Sequence, residues 1–120
     1  MIRAFAAFLV LMLATPVKAQ DFIPITDRGN FIDLVNGKQL RLATYGITLN
    51  VLPDGRISGR GFGQDVTGSW NWQDGYFCRE MLLGSRTIEY NCQLVEARGA
   101  DRMRFTVDRG AGQSATFRVQ

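Results

Sequence analysis

Few residues of this chain could carry chemistry, and most of them lie between Asp65 and Glu96. The 120 residues include no histidine and only two cysteines. Without histidine the usual general base is missing, and no serine lies in a nucleophile-elbow motif. Glu80 together with Asp65 or Glu96 could form a carboxylate pair for glycoside hydrolysis, provided that two of them converge in an open cleft. We therefore expect no catalytic residues, and a carboxylate-based hydrolase is kept as an alternative.

Glu80 lies in a stretch that otherwise alternates like a strand with one buried face. Every second residue from Val66 to Trp72 is apolar or glycine, which is the two-residue period of a strand. A turn at 73–75 leads into a second strand, which contains Glu80. Counting from this turn and from the following one places Glu80 opposite Gly68 and Tyr90. The pattern therefore predicts a carboxylate on the face that also carries the tryptophans.

An inward-facing Glu80 leaves two interpretations open. A carboxylate in a core must be paired, neutralised or solvated through a cavity. In the first interpretation Glu80 forms a salt bridge with Arg60 or Arg41, or accepts a hydrogen bond from Tyr90, and the tryptophans are core aromatics. In the second interpretation it is the polar anchor of an apolar ligand pocket. The residues that would line that pocket are Trp70, Trp72, Glu80 and Tyr90.

Cys78 and Cys92 are predicted to form a structural disulfide. If residues 84–86 form a three-residue loop, Leu83 pairs with Thr87 and Cys78 lies directly opposite Cys92, at the separation that a disulfide requires. A redox pair would more often have the spacing C-x-x-C, and a metal site would need more ligands. We expect neither a metal nor a cofactor.

Residues 1–19 have the pattern of a secretory signal peptide. Arg3 is a short basic region, Ala4–Ala14 is an apolar region of 11 residues, and Ala19 is a small residue at the expected cleavage site. The apolar region is too short to span a bilayer core, which needs about 20 residues. The sequence therefore predicts a periplasmic or secreted protein with a single domain at 20–120. We expect no membrane insertion after cleavage.

The basic excess of the chain is small once the signal peptide is removed. The net charge of the full chain is +3, and loss of Arg3 and Lys18 reduces it to +1. A nucleic-acid-binding protein would show a basic excess on one face, whereas the remaining arginines are spread singly along the chain. We therefore expect no nucleic-acid partner.

The chain after Lys38 predicts an all-β domain. Before that point, Thr26 or Asp27 can cap one short helix that runs to about Asn36. About eight short strands follow, and every connection after Ile47 is short, so strands that are consecutive in sequence should be antiparallel neighbours. Such a meander tends to curl and close, because closure removes its edges. We predict a small meander barrel or a strongly curved sheet, with the helix covering an open end.

Three segments carry a resemblance to a known group of proteins. They are G-S-W-N-W-Q-D-G-Y-F-C-R-E-M at 68–81, Y-N-C-Q-L-V-E at 90–96 and R-F-T-V-D-R-G-A-G-Q-S-A at 104–115. Together they resemble a group of short exported proteins from alphaproteobacteria, and the resemblance covers nearly the whole mature chain. It implies export and paired cysteines. Some members carry the label dihydrodipicolinate reductase, but such a reductase has an N-terminal dinucleotide-binding domain and is about twice this size.

Two shorter motifs bear on the fold. Gly68-Ser69-Trp70 resembles the G-x-W signature of lipocalin-like barrels, in which the tryptophan packs at the closed end, although there the motif lies on the first strand. Residues 110–115 fit the relaxed dinucleotide fingerprint G-x-G-x-x-A. Because a strand and not a helix follows, we interpret this segment as a hairpin loop.

The leading hypothesis is a non-enzymatic exported barrel that binds a small apolar or amphipathic ligand or an envelope protein. The second is an envelope structural or inhibitory protein that acts through its outer surface, which a filled interior beside an exposed apolar patch would indicate. These hypotheses are separated by whether the barrel encloses a cavity or solid packing.

Overall fold

The computed structural model describes Ala7, Leu9, Val10, Met12 and Leu13, together with residues 21–120. Most of the signal peptide predicted at 1–19 lies outside the described residues, and it stays a prediction. Within the described part of the chain, no helix has the length and apolar character that a membrane crossing requires.

Residues 21–120 form nine strands, one α-helix and two short 3₁₀ turns. The elements in chain order are β1 (Ile23–Ile25), α1 (Arg28–Val35), β2 (Leu40–Leu42), a 3₁₀ turn (Ala43–Tyr45), β3 (Ile47–Val51), β4 (Arg56–Gly61), β5 (Gln64–Gln73), β6 (Tyr76–Leu83), β7 (Arg86–Arg98), β8 (Arg102–Thr106), a second 3₁₀ turn (Asp108–Gly110) and β9 (Ser114–Val119).

Strands β2 to β9 form a closed antiparallel barrel. Each strand pairs with the next one along the chain, and β9 pairs with β2 through Leu40 and Val119 to close the ring. Closure satisfies the edges that an open meander would expose. The short β1 pairs with the C-terminal part of β7, where Ile25 lies opposite Val95. The prediction of an all-β barrel of about eight strands with one short helix is therefore confirmed.

Helix α1 closes one end of the barrel. Its N-terminus is capped by Asp27, whose carboxylate accepts a hydrogen bond from the backbone N–H of Asn30 at 3.1 Å. Phe31 is fully buried, and its ring centroid lies 5.4 Å from that of Trp70 and 5.0 Å from that of Trp72. A helix of eight residues is marginal alone, so this packing is what holds it in place.

The hairpin between β5 and β6 differs from its prediction by one residue. The loop consists of Asp74 and Gly75 alone, and Gln73 pairs with Tyr76. Asp74 has a φ of +52° and Gly75 a φ of +83°, which is typical of the two-residue type I′ turn. A three-residue turn that includes Gln73, as predicted from the sequence, would shift the pairing of β5 and β6 by one residue.

This one-residue difference reverses the faces of β6. Arg79 lies opposite Trp70, and Met81 lies opposite Gly68, so both residues share the inner face of the barrel. Glu80 lies opposite Ser69 on the outer face, where it is exposed. A register slip of one residue moves every side chain of a strand to the other face, so the predicted inward position of Glu80 is wrong.

The hairpin between β6 and β7 also differs from the predicted register by one residue, and a β-bulge in β7 restores that register further along the strand. Its loop also has two residues, so Leu83 pairs with Arg86 and not with Thr87. A β-bulge then shifts the register between Arg79 and Met81, where the partner strand gains one residue at 89–90. Beyond the bulge the pairing is the one that the sequence analysis predicted.

The predicted Cys78–Cys92 disulfide is confirmed, and it lies on the outer face of the barrel. The two cysteines are directly opposite each other and are bonded. They alternate with the inward-facing Phe77 and Arg79, and they therefore lie on the outer face, although Cys78 is almost completely buried. The cysteines therefore lie on the face opposite to the one that carries the tryptophans, because the two-residue loop places Cys78 opposite Asn71.

Candidate functional site

The barrel contains a cavity of about 400 Å³ that opens at the end opposite α1. Its deep wall is apolar and includes Leu40, Val51, Ile57, Phe77, Phe105 and Phe117. Its mouth is formed by Tyr45, from the 3₁₀ turn after β2, and by the loop between β8 and β9, which contributes Val107 and Gln113. No residue of α1 lines the cavity, because the helix packs on the aromatic cluster at the other end of the strands.

Arg79 is the charged residue among the described residues that line this cavity. Its side chain belongs to the inner face of β6, and the residue is only 8% exposed. Its Nη1 donates a hydrogen bond of 2.7 Å to the main-chain carbonyl oxygen of Glu89. Glu89 lies in the bulge of β7, so the irregularity in that strand provides the carbonyl group that holds the guanidinium.

No carboxylate among the described residues forms an ion pair with Arg79. The ion pairs that do form in this part of the chain join Arg56 to Asp54, Arg60 to Asp65, Arg102 to Asp101 and Arg104 to Glu96. Burial lowers the pKa of the Arg79 guanidinium, but an arginine stays protonated at neutral pH. The cavity therefore contains a buried positive charge that no anionic side chain of residues 21–120 neutralises.

Two amide side chains adjoin Arg79 on β7. Asn91 lies directly opposite Arg79, and Gln93, which is 8% exposed, lines the cavity opposite Phe77. Asn91 donates to the Asp108 carboxylate at 2.8 Å and accepts from the Asp108 backbone N–H at 2.9 Å. These two hydrogen bonds hold the loop at the mouth, in which Asp108 has a φ of +56°. That conformation is uncommon for a residue with a side chain, and the Asn91 contacts stabilise it.

The structure does not bring together the four residues predicted to line a pocket. Trp70 and Trp72 pack under α1, where Trp70 Nε1 donates to the Leu52 carbonyl at 2.8 Å and Trp72 Nε1 to the Thr26 carbonyl at 3.3 Å. Neither tryptophan lines the cavity. Both indoles face inward, as predicted, and their contacts are those of core aromatics.

Glu80 and Tyr90 lie on the outer surface. Tyr90 is 53% exposed, and Glu80 borders a shallow groove on the outside of β5, β6 and β7. The arginines proposed as partners of Glu80 have other contacts, since Arg60 pairs with Asp65 and Arg41 donates to Thr48. A ligand-binding role for Glu80 and Tyr90 at this surface stays a prediction, but they are not part of the interior cavity.

Arg79 and Gln93 line the cavity but were not predicted as site residues. The signal that would have found Arg79 is the dipeptide Asp74-Gly75, since Asp-Gly between alternating strands is typical of a two-residue type I′ loop. Counting outward from that loop pairs Trp70 with Arg79 directly. No comparable signal marks the bulge in β7, because its residues have no glycine.

The carboxylates considered for hydrolysis do not reach the cavity. Glu96 accepts two hydrogen bonds of 3.0 Å from Arg104, and Asp65 pairs with Arg60. The hydrogen bonds to Glu96 raise the pKa of the Arg104 guanidinium, as expected for a charge-assisted pair. Among the described residues the cavity wall contains no aspartate or glutamate, so it offers no pair of carboxylates for that chemistry.

Three arginines that are distant in sequence form a row on the outer wall. Arg118 on β9 lies opposite Arg41 on β2 and opposite Arg102 on β8. The arginines are spread singly along the chain, but the fold brings these three together on one surface. Like charges in directly opposed positions destabilise a sheet, and Arg102 is partly neutralised by Asp101 at 3.4 Å.

Fold and cavity together define a small, disulfide-bonded, closed antiparallel β-barrel with an internal cavity. A disulfide is typical of a non-cytoplasmic environment. Comparisons with models of protein families, with curated proteins and with solved structures find no match for this chain.

Proposed function

We propose that this protein is an exported binding protein that holds one small, largely apolar molecule inside its barrel. The observation that carries the proposal is the cavity of about 400 Å³, closed by α1 at one end and open at the other. Its volume lies in the lower part of the range of about 300–1,000 Å³ that small-molecule sites occupy, and its wall is mainly apolar with few polar groups.

A barrel whose interior served only as a hydrophobic core would not be expected to contain a pocket of this size. Protein interiors are close-packed and contain few spaces larger than a water molecule. A small barrel whose only role was structural would fill this space with larger side chains than Ala115. The cavity therefore favours a ligand-binding role over an envelope protein that acts only through its outer surface.

Three observations support export. Residues 1–19 have the pattern of a signal peptide, and residues 68–115 contain the segments that resemble short exported proteins of alphaproteobacteria. The disulfide supports the same compartment, because such bonds persist in the periplasm and outside the cell. The proposed site of action is thus the periplasm or the exterior.

A cavity-filling variant tests the proposal. Ala115 lines the cavity on β9, and the neighbouring Thr116 is exposed on the outer face. We expect Ala115→Phe to weaken binding of the neutral apolar dye N-phenylnaphthylamine at least about 10-fold, because the new ring occupies the ligand volume. Dye fluorescence measures this binding, and Thr116→Phe, the matched control, is expected to retain it.

A ligand panel measured by thermal unfolding complements the dye experiment. A ligand present at about 100 times its Kd stabilises the folded state by about 2.7 kcal/mol, which is visible as a rise in Tm. A wild-type protein that neither binds the dye nor gains stability from any member of a broad panel of apolar and amphipathic metabolites would contradict the proposal.

A further inference from the structure

We infer that the ligand carries a negatively charged head group, such as a carboxylate, and that Arg79 pairs with it inside the barrel. The inference rests on the proposed function and adds the chemical class of the ligand, which is an amphipathic organic acid. Its basis is the position of Arg79, a residue that is 8% exposed and whose guanidinium lies in an otherwise uncharged cavity wall.

The buried charge of Arg79 lacks an opposite charge nearby among the residues that the structure describes. Moving an ionised group out of water is unfavourable unless an opposite charge and hydrogen bonds compensate for it. No carboxylate of the described residues lies within ion-pair distance of Arg79, and within residues 21–120 its side chain donates a hydrogen bond to the Glu89 carbonyl alone. An anionic ligand would supply the missing opposite charge.

The hydrogen-bonding capacity of Arg79 points to the same partner. A guanidinium has five N–H donors, arranged as a planar fork that matches the two oxygens of a carboxylate. The Glu89 carbonyl occupies Nη1 alone. In the described part of the chain, every polar side-chain atom sealed from solvent has a hydrogen-bond partner. The other Arg79 nitrogens therefore keep some accessible surface, and Arg79 is one of the residues that line the cavity.

The surroundings of Arg79 fit a molecule with an apolar tail. Phe77 and Met81 flank it on the inner face of β6, and Gln93 adds an uncharged amide to the same part of the wall. The Asp108 carboxylate at the mouth accepts a hydrogen bond from Asn91 and does not pair with Arg79. An anionic head group would pair with the Arg79 guanidinium, and an apolar chain would pack against the phenylalanines of the cavity wall.

A different interpretation gives Arg79 a structural role only, in which it stabilises the bulge through the Glu89 carbonyl. That interpretation predicts no dependence of binding on the charge of the head group. The two interpretations are therefore separated by ligands that share a tail and differ in charge.

The experiment compares decanoate, decanol and decylamine by calorimetry and by displacement of the neutral dye at pH 7, in a chloride-free buffer. We expect decanoate to bind about 10- to 100-fold more tightly than decanol, which is the net value of a hydrogen-bonded pair with a charged group. Decylamine should bind more weakly than decanol. The Nε–H NMR signal of Arg79 should shift with decanoate and not with decanol.

Three variants test whether Arg79 causes the preference for decanoate over decanol. Arg79→Met removes the charge at similar volume and is expected to make decanoate no better than decanol. Arg79→Lys keeps the charge and should retain part of the preference. Arg118→Met is the matched control, because it makes the same substitution at an exposed arginine on the outer face of β9, and it should leave all three affinities unchanged.

The outcomes distinguish the inference from the proposed function. Equal binding of decanoate and decanol to the wild type would overturn the anion assignment and leave the ligand-binding barrel standing. No binding of any of the three ligands or of the dye would overturn both. If Arg79→Met does not fold, the head-group preference of the wild type and the Arg79 Nε–H signal decide the question.

Discussion

Arg79 and Glu80 are adjacent in sequence, have opposite charges and lie on opposite sides of the barrel wall. Which of them faces the cavity depends on whether the loop between β5 and β6 has two residues or three. With Glu80 inside, the interior would attract cationic or hydrogen-bond-donating ligands, whereas with Arg79 inside it attracts anions. A register difference of a single residue therefore reverses the charge expected of the ligand.

Phe31 is the residue through which α1 closes one end of the barrel. Besides Trp70 and Trp72, its ring contacts those of Phe77 and Phe105, and none of its surface is exposed. We expect Phe31→Ala to lower the free energy of unfolding by about 3–5 kcal/mol, because truncation of a buried phenylalanine leaves a cavity. Urea denaturation measures this change. Ile23→Ala, at a position 66% exposed, is the control and should stay within about 0.5 kcal/mol.

At the scale of the elements, β4 and β5 are shaped by close approach of neighbouring backbones. A Cβ added to Gly59 would overlap the Thr48 carbonyl oxygen on β3, and Gly59 has a φ of +154°. A Cβ at Gly68 would overlap the Glu80 carbonyl oxygen. The glycines therefore allow these strands to pass close to their neighbours, as glycines in strand interiors often do.

Gly59 and Gly61 offer a matched test of this packing on one strand. Gly59→Ala should lower the free energy of unfolding by about 1–3 kcal/mol, because the methyl group forces the backbones of β3 and β4 apart. At Gly61 the added methyl group would meet only side chains, at 3.4 Å or more, so Gly61→Ala should change stability much less. Equal effects in chemical denaturation would contradict this account of β4.

The fold was more predictable from the sequence than the site. Hydrophobic alternation and turn residues predict the eight barrel strands, and the capping residue Asp27 predicts the start of α1, because these signals are local. The site depends on which face each residue takes, and this is set by loop lengths and by a bulge at 89–90 that leaves no pattern in the sequence. The Cys78–Cys92 pairing was correct because two register deviations, in the loop and in the bulge, offset each other.

At the scale of the whole molecule, ring closure and the disulfide stabilise the barrel in different ways. Closure pairs β2 with β9, the first and last strands of the ring, and thereby ties the ends of the domain together. The disulfide lies on the outer face of two strands that are already paired through their hairpin. It therefore acts mainly by restricting the unfolded chain, and the cavity on the inner face does not depend on it.

Removal of the disulfide tests whether it stabilises the fold without affecting the cavity. Cys78 and Cys92 are 14 residues apart, and opening a loop of about this length costs about 3 kcal/mol of stability in the chain-entropy account. We expect the double variant Cys78→Ala/Cys92→Ala to lose about this much in urea denaturation, and to bind N-phenylnaphthylamine with unchanged affinity under conditions where it is folded. Wild type treated with a reductant is the control for side-chain effects of the substitutions. Loss of dye binding in a variant that still unfolds cooperatively would show that the outer bond positions the inner wall, because Arg79 follows Cys78 directly on β6.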